Sequence, residues 1–232
     1  MLKKDLMLRS PVSKTLGIEN TTDGRLGAVL SRAGVGKTSF LVQIALTLLL
    51  RDEKILHISL NEQIDKINIR YHDGYTNLVD SIGYVDSQKA FRIWDDIQFN
   101  KVGISYTESA FDTVKIRDYL NSFKKADLPL PAIMVIDGLD FDTDVSQILN
   151  ALEALTREFS LFTWVSIQSH REETLCDDGF PIQLEKYKDR FDKALFLKPV
   201  EDRIEAVILK DGDRIDQKCL LNPATMMIVE GH

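Results

Sequence analysis

Short apolar runs alternate with longer apolar stretches along the first part of the chain. Residues 26–30 and 55–60 are apolar runs with the length of buried strands. Between them, residues 40–50 are apolar on nearly all sides, which is typical of a buried helix. This order predicts a strand, a loop, a helix and a second strand, which together form the βαβ unit of a parallel sheet.

The same alternation continues to the end of the chain. Apolar runs at 101–106, 132–136 and 161–167 predict further strands, and apolar spacing predicts helices at 64–71, 88–99, 111–125 and 144–159. Four late apolar runs predict more strands, at 194–197, 204–209, 218–221 and 225–229. Asp211-Gly212 is a hairpin signal between two of these runs. We therefore predict an α/β fold with a mostly parallel sheet, helices on both of its faces, and an antiparallel C-terminal β extension.

The loop after the first strand has glycines at a distinctive spacing. Residues 31–38 fit the phosphate-binding pattern G-x-x-x-x-G-K-[ST], except that Ser31 replaces the first glycine. Gly34 and Gly36 allow the backbone to curl with its N–H groups turned inward, and the following helix N-terminus adds more donors. In such loops the lysine reaches the β- and γ-phosphates, and the hydroxyl ligates Mg²⁺. The predicted nucleotide-binding residues are Ser31, Arg32, Ala33, Gly34, Val35, Gly36, Lys37, Thr38 and Ser39.

Three more predicted strands end in polar residues, namely Glu62, Asp137 and Gln168. The carboxyl ends of parallel strands meet at one edge of the sheet, so we expect these residues beside the glycine loop. Asp137 is predicted to share Mg²⁺ with Thr38, and Glu62 to orient or deprotonate an attacking water. Gln168 is predicted to sense the γ-phosphate, and Lys37 completes the catalytic set. The structural alternatives are polar strand ends for Asp137 and Gln168, and a helix N-terminal carboxylate for Glu62.

Composition and charge narrow the class of protein. The 232 residues are 44% hydrophobic, which suits one domain spanning 26–232, and the net charge is −7. Residues 1–25 form a basic arm, expected to be either a solvated leader packed loosely on the domain or an arm that docks on a neighbouring subunit. Cys176 and Cys219 are expected to be free thiols. No signal peptide or membrane-spanning run is evident. We therefore expect a cytoplasmic protein without a membrane partner.

These segments, in their order and spacing, resemble those of the RecA-like ATPases, most of all the branch of the DnaB helicase, KaiC and RadA. The resemblance covers about residues 15–230 and rests on five segments: 31–38, 58–62, 133–139, 166–168 and 208–214. It implies that ATP and Mg²⁺ bind between the subunits of a ring or filament. It also implies that hydrolysis is coupled to nucleic-acid movement, recombination or signalling to a protein partner.

Two positions depart from the pattern of this family. The helicase branch usually offers a lysine and, two residues later, an arginine to the γ-phosphate of the neighbouring subunit. Lys210 matches the lysine, but Gly212 stands at the second position and Arg214 follows it, so Lys210 and Arg214 are the candidate trans-acting residues. Loss of an arginine finger, which is worth about 10³ to 10⁵ in rate, predicts slow hydrolysis. Asn61 also stands where many relatives begin an acidic pair, which leaves Glu62 alone.

The charge of two loops bears on nucleic acid as a partner. Residues 137–147 contain four aspartates and neither Lys nor Arg, and residues 169–190 contain six acidic residues against four of Lys or Arg. Lys and Arg supply most non-specific affinity for a phosphate backbone, so these loops disfavour nucleic-acid binding. We expect a slow ATPase that acts through self-assembly or a protein partner. The alternatives are a nucleotide-gated binding or scaffold protein without turnover, and a DNA-directed helicase or recombination accessory ATPase.

Overall fold

A computed structural model describes residues 2–12, 24–170, 174–211 and 218–229 of the chain. The helices of this part are α1 Leu2–Arg9, α2 Lys37–Leu49, α3 Ile64–Asp80, α4 Ser87–Gln98, α5 Thr113–Lys125 and α6 Ser146–Glu158. The strands are β1 Arg25–Arg32, β2 Ile55–Ser59, β3 Lys101–Ser105, β4 Ile133–Asp137, β5 Phe162–Ser169, β6 Lys193–Val200, β7 Arg203–Lys210 and β8 Lys218–Leu221. Short 3₁₀ turns lie at Glu108–Ala110, Ile182–Leu184 and Lys188–Arg190.

All these strands belong to one sheet, in the order β3-β2-β4-β5-β1-β6-β7-β8. The pairs from β3 through to β6 are parallel, whereas β7 pairs antiparallel with β6 and β8 pairs antiparallel with β7. The predicted α/β fold is therefore confirmed, including its mostly parallel sheet and its antiparallel C-terminal strands. This order places β1 between β5 and β6, well inside the sheet.

The two faces of the sheet are covered by different helices. One apolar core contains buried residues of α2, α3 and β1, with partly buried residues of α1 and α4 around it. The other core contains buried residues of α5 and α6. Every residue of α2 from Phe40 to Leu49 is buried, as its pattern predicts, because α3 packs on the side of α2 that faces away from the sheet.

The N-terminal arm is helical and packed where the structure describes it. Leu6 and Val12 are fully buried in the core that contains α2. The Ser10 hydroxyl lies 2.6 Å from the Thr47 hydroxyl of α2, also in a buried environment. For residues 2–12 the arm packs on the domain as expected, but tightly and not loosely, because its apolar side chains cover part of α3 and α4. Residues 13–23 lie outside the described part of the chain.

Two element boundaries differ from those predicted by sequence. Helix α3 continues to Asp80, beyond the predicted 64–71, although it contains Gly74. A Cβ at Gly74 would stand 2.9 Å from Cδ1 of Leu46, so the glycine allows close packing of α3 on α2. The run at 225–229 is not a strand, because it forms a turn with a single bridge between Leu221 and Ile228. Residues 212–217, which include the predicted hairpin turn, lie outside the described part.

The two tryptophans have different surroundings. Trp164 of β5 is buried, stacks on Phe162 at 5.2 Å between ring centroids, and fills the space where a Cβ of Gly27 would stand. Trp94 of α4 is half-buried and packs against Tyr75 at 5.2 Å between ring centroids.

None of the helices in the described ranges is long and apolar enough to cross a membrane.

Candidate functional site

A cavity of about 570 Å³ opens at the carboxyl ends of β2, β4 and β5, beside the loop that follows β1. It brings together nine of the predicted site residues, which are Ala33, Gly34, Gly36, Lys37, Thr38, Ser39, Glu62, Asp137 and Gln168. These residues are far apart in sequence, and the parallel strands place them at one edge of the sheet as expected.

The glycine loop has the backbone geometry that its sequence predicts. Gly34 and Gly36 have φ angles of +77° and +122°, a region that residues with a Cβ rarely adopt. Gly36 is the N-cap of α2, and no side chain caps this helix end, so its first N–H groups are left for a ligand. Ser31 is buried and donates its hydroxyl to the Arg32 carbonyl at 2.9 Å. The replacement of the first glycine is therefore accommodated within the loop.

Lys37 lies across the loop it follows. Its Nζ donates to the carbonyls of Ser31 and Arg32 at 3.1 and 3.2 Å. Burial lowers the pKa of Lys37, and the nearby Asp137 carboxylate opposes that shift. The ammonium group is thus held at the base of the cavity by neutral acceptors, which a phosphate oxygen can replace.

Thr38 and Asp137 meet directly. The Thr38 hydroxyl donates to Oδ2 of Asp137 at 2.6 Å, and Asp137 is only 5% exposed at the end of β4. A hydroxyl and a carboxylate oxygen are hard donors of the kind that Mg²⁺ takes, and Mg²⁺ normally completes its shell with phosphate oxygens and water. Among the described residues, no group of three or more His, Cys, Asp or Glu side chains could hold a metal alone. This pair therefore fits an ion that is shared with a polyphosphate.

Glu62 is held by an arginine that the sequence reasoning missed. Nε and Nη2 of Arg70 donate to its two carboxylate oxygens at 2.8 and 2.7 Å. The hydrogen bond from Arg70 is the main reason that the pKa of Glu62 lies below its usual value. The backbone of Glu62 is fixed as well, because its N–H donates to the Ser59 hydroxyl at 3.1 Å and its carbonyl accepts from Ser105 at 3.1 Å. The sequence signal for this pair is the spacing, since Glu62 lies two residues before α3 and Arg70 lies in its second turn.

Asn61 has a structural role that accounts for the departure at this position. Gly138 follows Asp137 with a φ of +100°, and a Cβ there would lie 2.4 Å from Nδ2 of Asn61. The N–H of Gly138 donates to the Ser166 hydroxyl at 2.8 Å. Asn61 thus packs closely on the turn that carries Asp137 into the cavity.

No protein-family model and no curated protein matches the sequence of this chain. The assignment of the site therefore rests on the motif and on the geometry of the cavity.

Gln168 and the acidic loops lie at the mouth of the cavity. Gln168 is exposed and stands opposite Ser31 in the β1–β5 pairing. Asp140 and Asp142 also line the cavity, and Asp142 accepts from Nε2 of His170 at 2.8 Å. The predicted acidic character of the loop after β4 therefore extends to the entrance of the site.

Lys210 lies far from this cavity in its own chain. It pairs with Ala194 at the start of β6, and β6 separates its strand β7 from β1. Its Nζ donates to the carbonyls of Lys188 and Asp189 at 3.2 and 3.4 Å. Lys210 is therefore not among the residues that line the cavity of its own chain. Arg214, the other candidate trans-acting residue, lies outside the described ranges.

Proposed function

We propose that this protein binds ATP with Mg²⁺ and hydrolyses it slowly, as a RecA-like ATPase that acts through self-assembly or a protein partner. The observation that carries the proposal is the 2.6 Å contact between the Thr38 hydroxyl and Asp137, next to Lys37 in the same cavity. A buried carboxylate needs a hydrogen-bond donor, and the donor here is the hydroxyl of the phosphate-binding motif. The pairing supports a joint role in holding a metal ion and its phosphate.

Each group of site residues has a separate role in the proposed reaction. The loop N–H groups and Lys37 bind the β- and γ-phosphates, and Thr38 and Asp137 would hold the magnesium ion. Bound Mg²⁺ would neutralise charge on the phosphate oxygens. Glu62 accepts a hydrogen bond from the attacking water and takes its proton, and Gln168 contacts the γ-phosphate at the mouth of the cavity.

Two features support slow turnover. Both oxygens of Glu62 are engaged by Arg70, and the lowered pKa makes this carboxylate a weaker base. Lys210 does not line the cavity of its own chain, so a second copy would have to supply it. Fast turnover then requires that Arg70 releases the Glu62 carboxylate and that a second copy of the chain supplies Lys210.

The test is ATP turnover with Mg²⁺ at several protein concentrations, without DNA. Glu62→Gln is expected to lower turnover at least about 100-fold while ATP binding is retained, because the amide accepts no proton. Glu53→Gln is the matched control, since Glu53 is exposed at the far end of α2, and it should leave turnover unchanged. Turnover in Glu62→Gln equal to that of the wild type would contradict the catalytic role.

The magnesium part of the proposal has its own test. Thr38→Val removes the hydroxyl and keeps the shape of the side chain. We expect Mg²⁺ to tighten ATP binding in the wild type and to have little effect in this variant, as measured by calorimetry with and without the ion. An unchanged magnesium effect in Thr38→Val would contradict the metal assignment.

The Glu62–Arg70 pair also favours a second candidate, a nucleotide-gated binding or scaffold protein without turnover. In that case Arg70 holds Glu62 permanently away from the water. Tight, Mg²⁺-dependent ATP binding with background turnover at every protein concentration would favour this candidate over the first.

A further inference from the structure

The chain returns to the phosphate loop after β8. Residues 222–227, which we name the C-terminal turn, fold back through hydrogen bonds from Met226 N–H to the Asn222 carbonyl at 2.7 Å and from Asn222 N–H to the Met227 carbonyl at 2.8 Å. The Asn222 side chain accepts from the N–H groups of Ala224 and Thr225 at 2.8 and 3.3 Å. The turn is therefore a defined element, stabilised by hydrogen bonds of its own backbone and of the Asn222 side chain.

Met226 meets the loop at the glycine that starts α2. A Cβ at Gly36 would stand 3.0 Å from Sδ and 3.1 Å from Cε of Met226, so the thioether occupies the space beside this glycine. Met226 is 3% exposed although it lies near the end of the described chain. Gly36 has the φ of +122° that shapes the loop, and its carbonyl accepts from Phe40 N–H at 2.9 Å in the first turn of α2.

The backbone of Met226 is unusual for a residue with a side chain. Its φ of +57° lies in the left-handed region, where glycine is favoured. Such a conformation persists only where the surroundings impose it, and it often marks a functional contact. Neighbouring contacts hold the turn in place, since Sδ of Met227 lies 4.0 Å from Nε2 of Gln43 in α2, and Val229 N–H donates to Leu220 at 2.8 Å.

We propose that Met226 is a positioning residue for the phosphate loop, and that the C-terminal turn and the bound nucleotide stabilise each other through it. The proposal rests on the proposed nucleotide site. The Met226 thioether supports Gly36 from the side away from the cavity and so keeps the loop N–H groups turned inward. Coupling of this kind is reciprocal, so the nucleotide also tightens the turn.

The first test compares three variants by their affinity for ATP with Mg²⁺. Met226→Gly keeps the left-handed backbone, which glycine adopts freely, and removes the buried side chain that contacts Gly36. It is expected to weaken binding by about tenfold or more, a typical size for coupled sites. Met226→Leu keeps the bulk, and Met227→Ala alters the same turn away from the loop, so each should stay within about threefold of the wild type. ATP binding by Met226→Gly as tight as that of the wild type would overturn the proposal.

The second test needs no nucleotide and separates the two proposals. Hydrogen exchange at Phe40 N–H, in the first turn of α2, should be faster in Met226→Gly than in the wild type. Leu149 N–H, bonded to Val145 at 2.8 Å in the first turn of α6, is the matched control and should not change. Unchanged exchange at Phe40 would overturn the positioning role. If the wild type binds no ATP, the proposed function fails, yet the exchange at Phe40 still decides the role of Met226.

The reciprocal effect is measured in the wild type. Saturation with ATP and Mg²⁺ should slow exchange at the Met226 N–H, which is bonded to Asn222. The Leu149 N–H again serves as the reference. Bound ATP with no change at Met226 would overturn the coupling while leaving the nucleotide site intact.

Discussion

Arg70 places a positive charge in the cavity, and we predict that its removal weakens the binding of ATP. Two cationic side chains, Lys37 and Arg70, line the cavity together with four carboxylates, which are Glu62, Asp137, Asp140 and Asp142. Arg70 neutralises Glu62 through two hydrogen bonds. In Arg70→Gln the Glu62 carboxylate keeps its charge and loses this partner, which on the proposed function would oppose the charge of a bound polyphosphate.

The size of the effect follows from Coulomb's law. The two charges are the Glu62 carboxylate and the nearest charge of a bound phosphate. At a separation of about 8 Å they repel by about 1 to 2 kcal/mol, for an effective dielectric constant of about 20 to 40. Arg70 is 38% exposed, so solvent screening favours the lower half of this range. We therefore expect Arg70→Gln to weaken ATP binding by about tenfold, which corresponds to about 1.4 kcal/mol.

A double-mutant cycle tests whether charge is the cause. Arg70→Gln with Glu62→Gln removes both charges, so affinity should return to within about threefold of the wild type. The measurement is calorimetry with a non-hydrolysable ATP analogue, repeated at high salt, where the deficit of Arg70→Gln should shrink. A double variant that binds as weakly as Arg70→Gln, or a deficit that salt does not change, would refute the electrostatic reasoning.

Two further predictions concern stability. Burial lowers the pKa of His57 to about 4. As the pH falls below about 6.5, His57 therefore gains a proton in the unfolded chain but not in the folded one. The free energy of unfolding should drop by about 2 kcal/mol from about pH 7.5 to about pH 5. Urea titrations should show this drop reduced in His57→Phe but kept in His72→Gln; an equal drop in both would contradict it. Thr47→Val should cost about 1 to 3 kcal/mol, because the buried Ser10 hydroxyl loses its partner on α2 and, among the described residues, keeps only the contact with the Val12 N–H. Thermal unfolding should show part of that cost recovered in Thr47→Val with Ser10→Ala, and no recovery would contradict the pairing.

The central elements of the fold could be predicted because each has a strong local pattern. The run 40–50 is apolar on all sides and becomes the buried helix α2, and the parallel strands then place Thr38, Glu62 and Asp137 at one edge of the sheet. Both the hydrophobic period and the loop motif are properties of consecutive residues. They are visible without knowledge of distant contacts.

The parts that could not be predicted depend on contacts between distant segments. The packing of α1 depends on a surface formed by α3 and α4, and the partner of Glu62 depends on the helical phase of Arg70. The contact of Met226 with Gly36 joins residues separated by most of the chain. No local pattern specifies such a contact, since an apolar run near the C-terminus fits a strand as well as a turn.

The two tryptophans supply separate spectroscopic signals. Trp164 lies against Gly27, on the strand that leads into the phosphate loop, whereas Trp94 lies between α3 and α4. Burial shifts tryptophan emission to shorter wavelength and excludes aqueous quenchers, so acrylamide should quench Trp94 first. In Trp94→Phe the emission reports only from Trp164, inside the sheet and against β1. The unlabelled protein thus contains a fluorophore for following changes in the buried strand that precedes the loop.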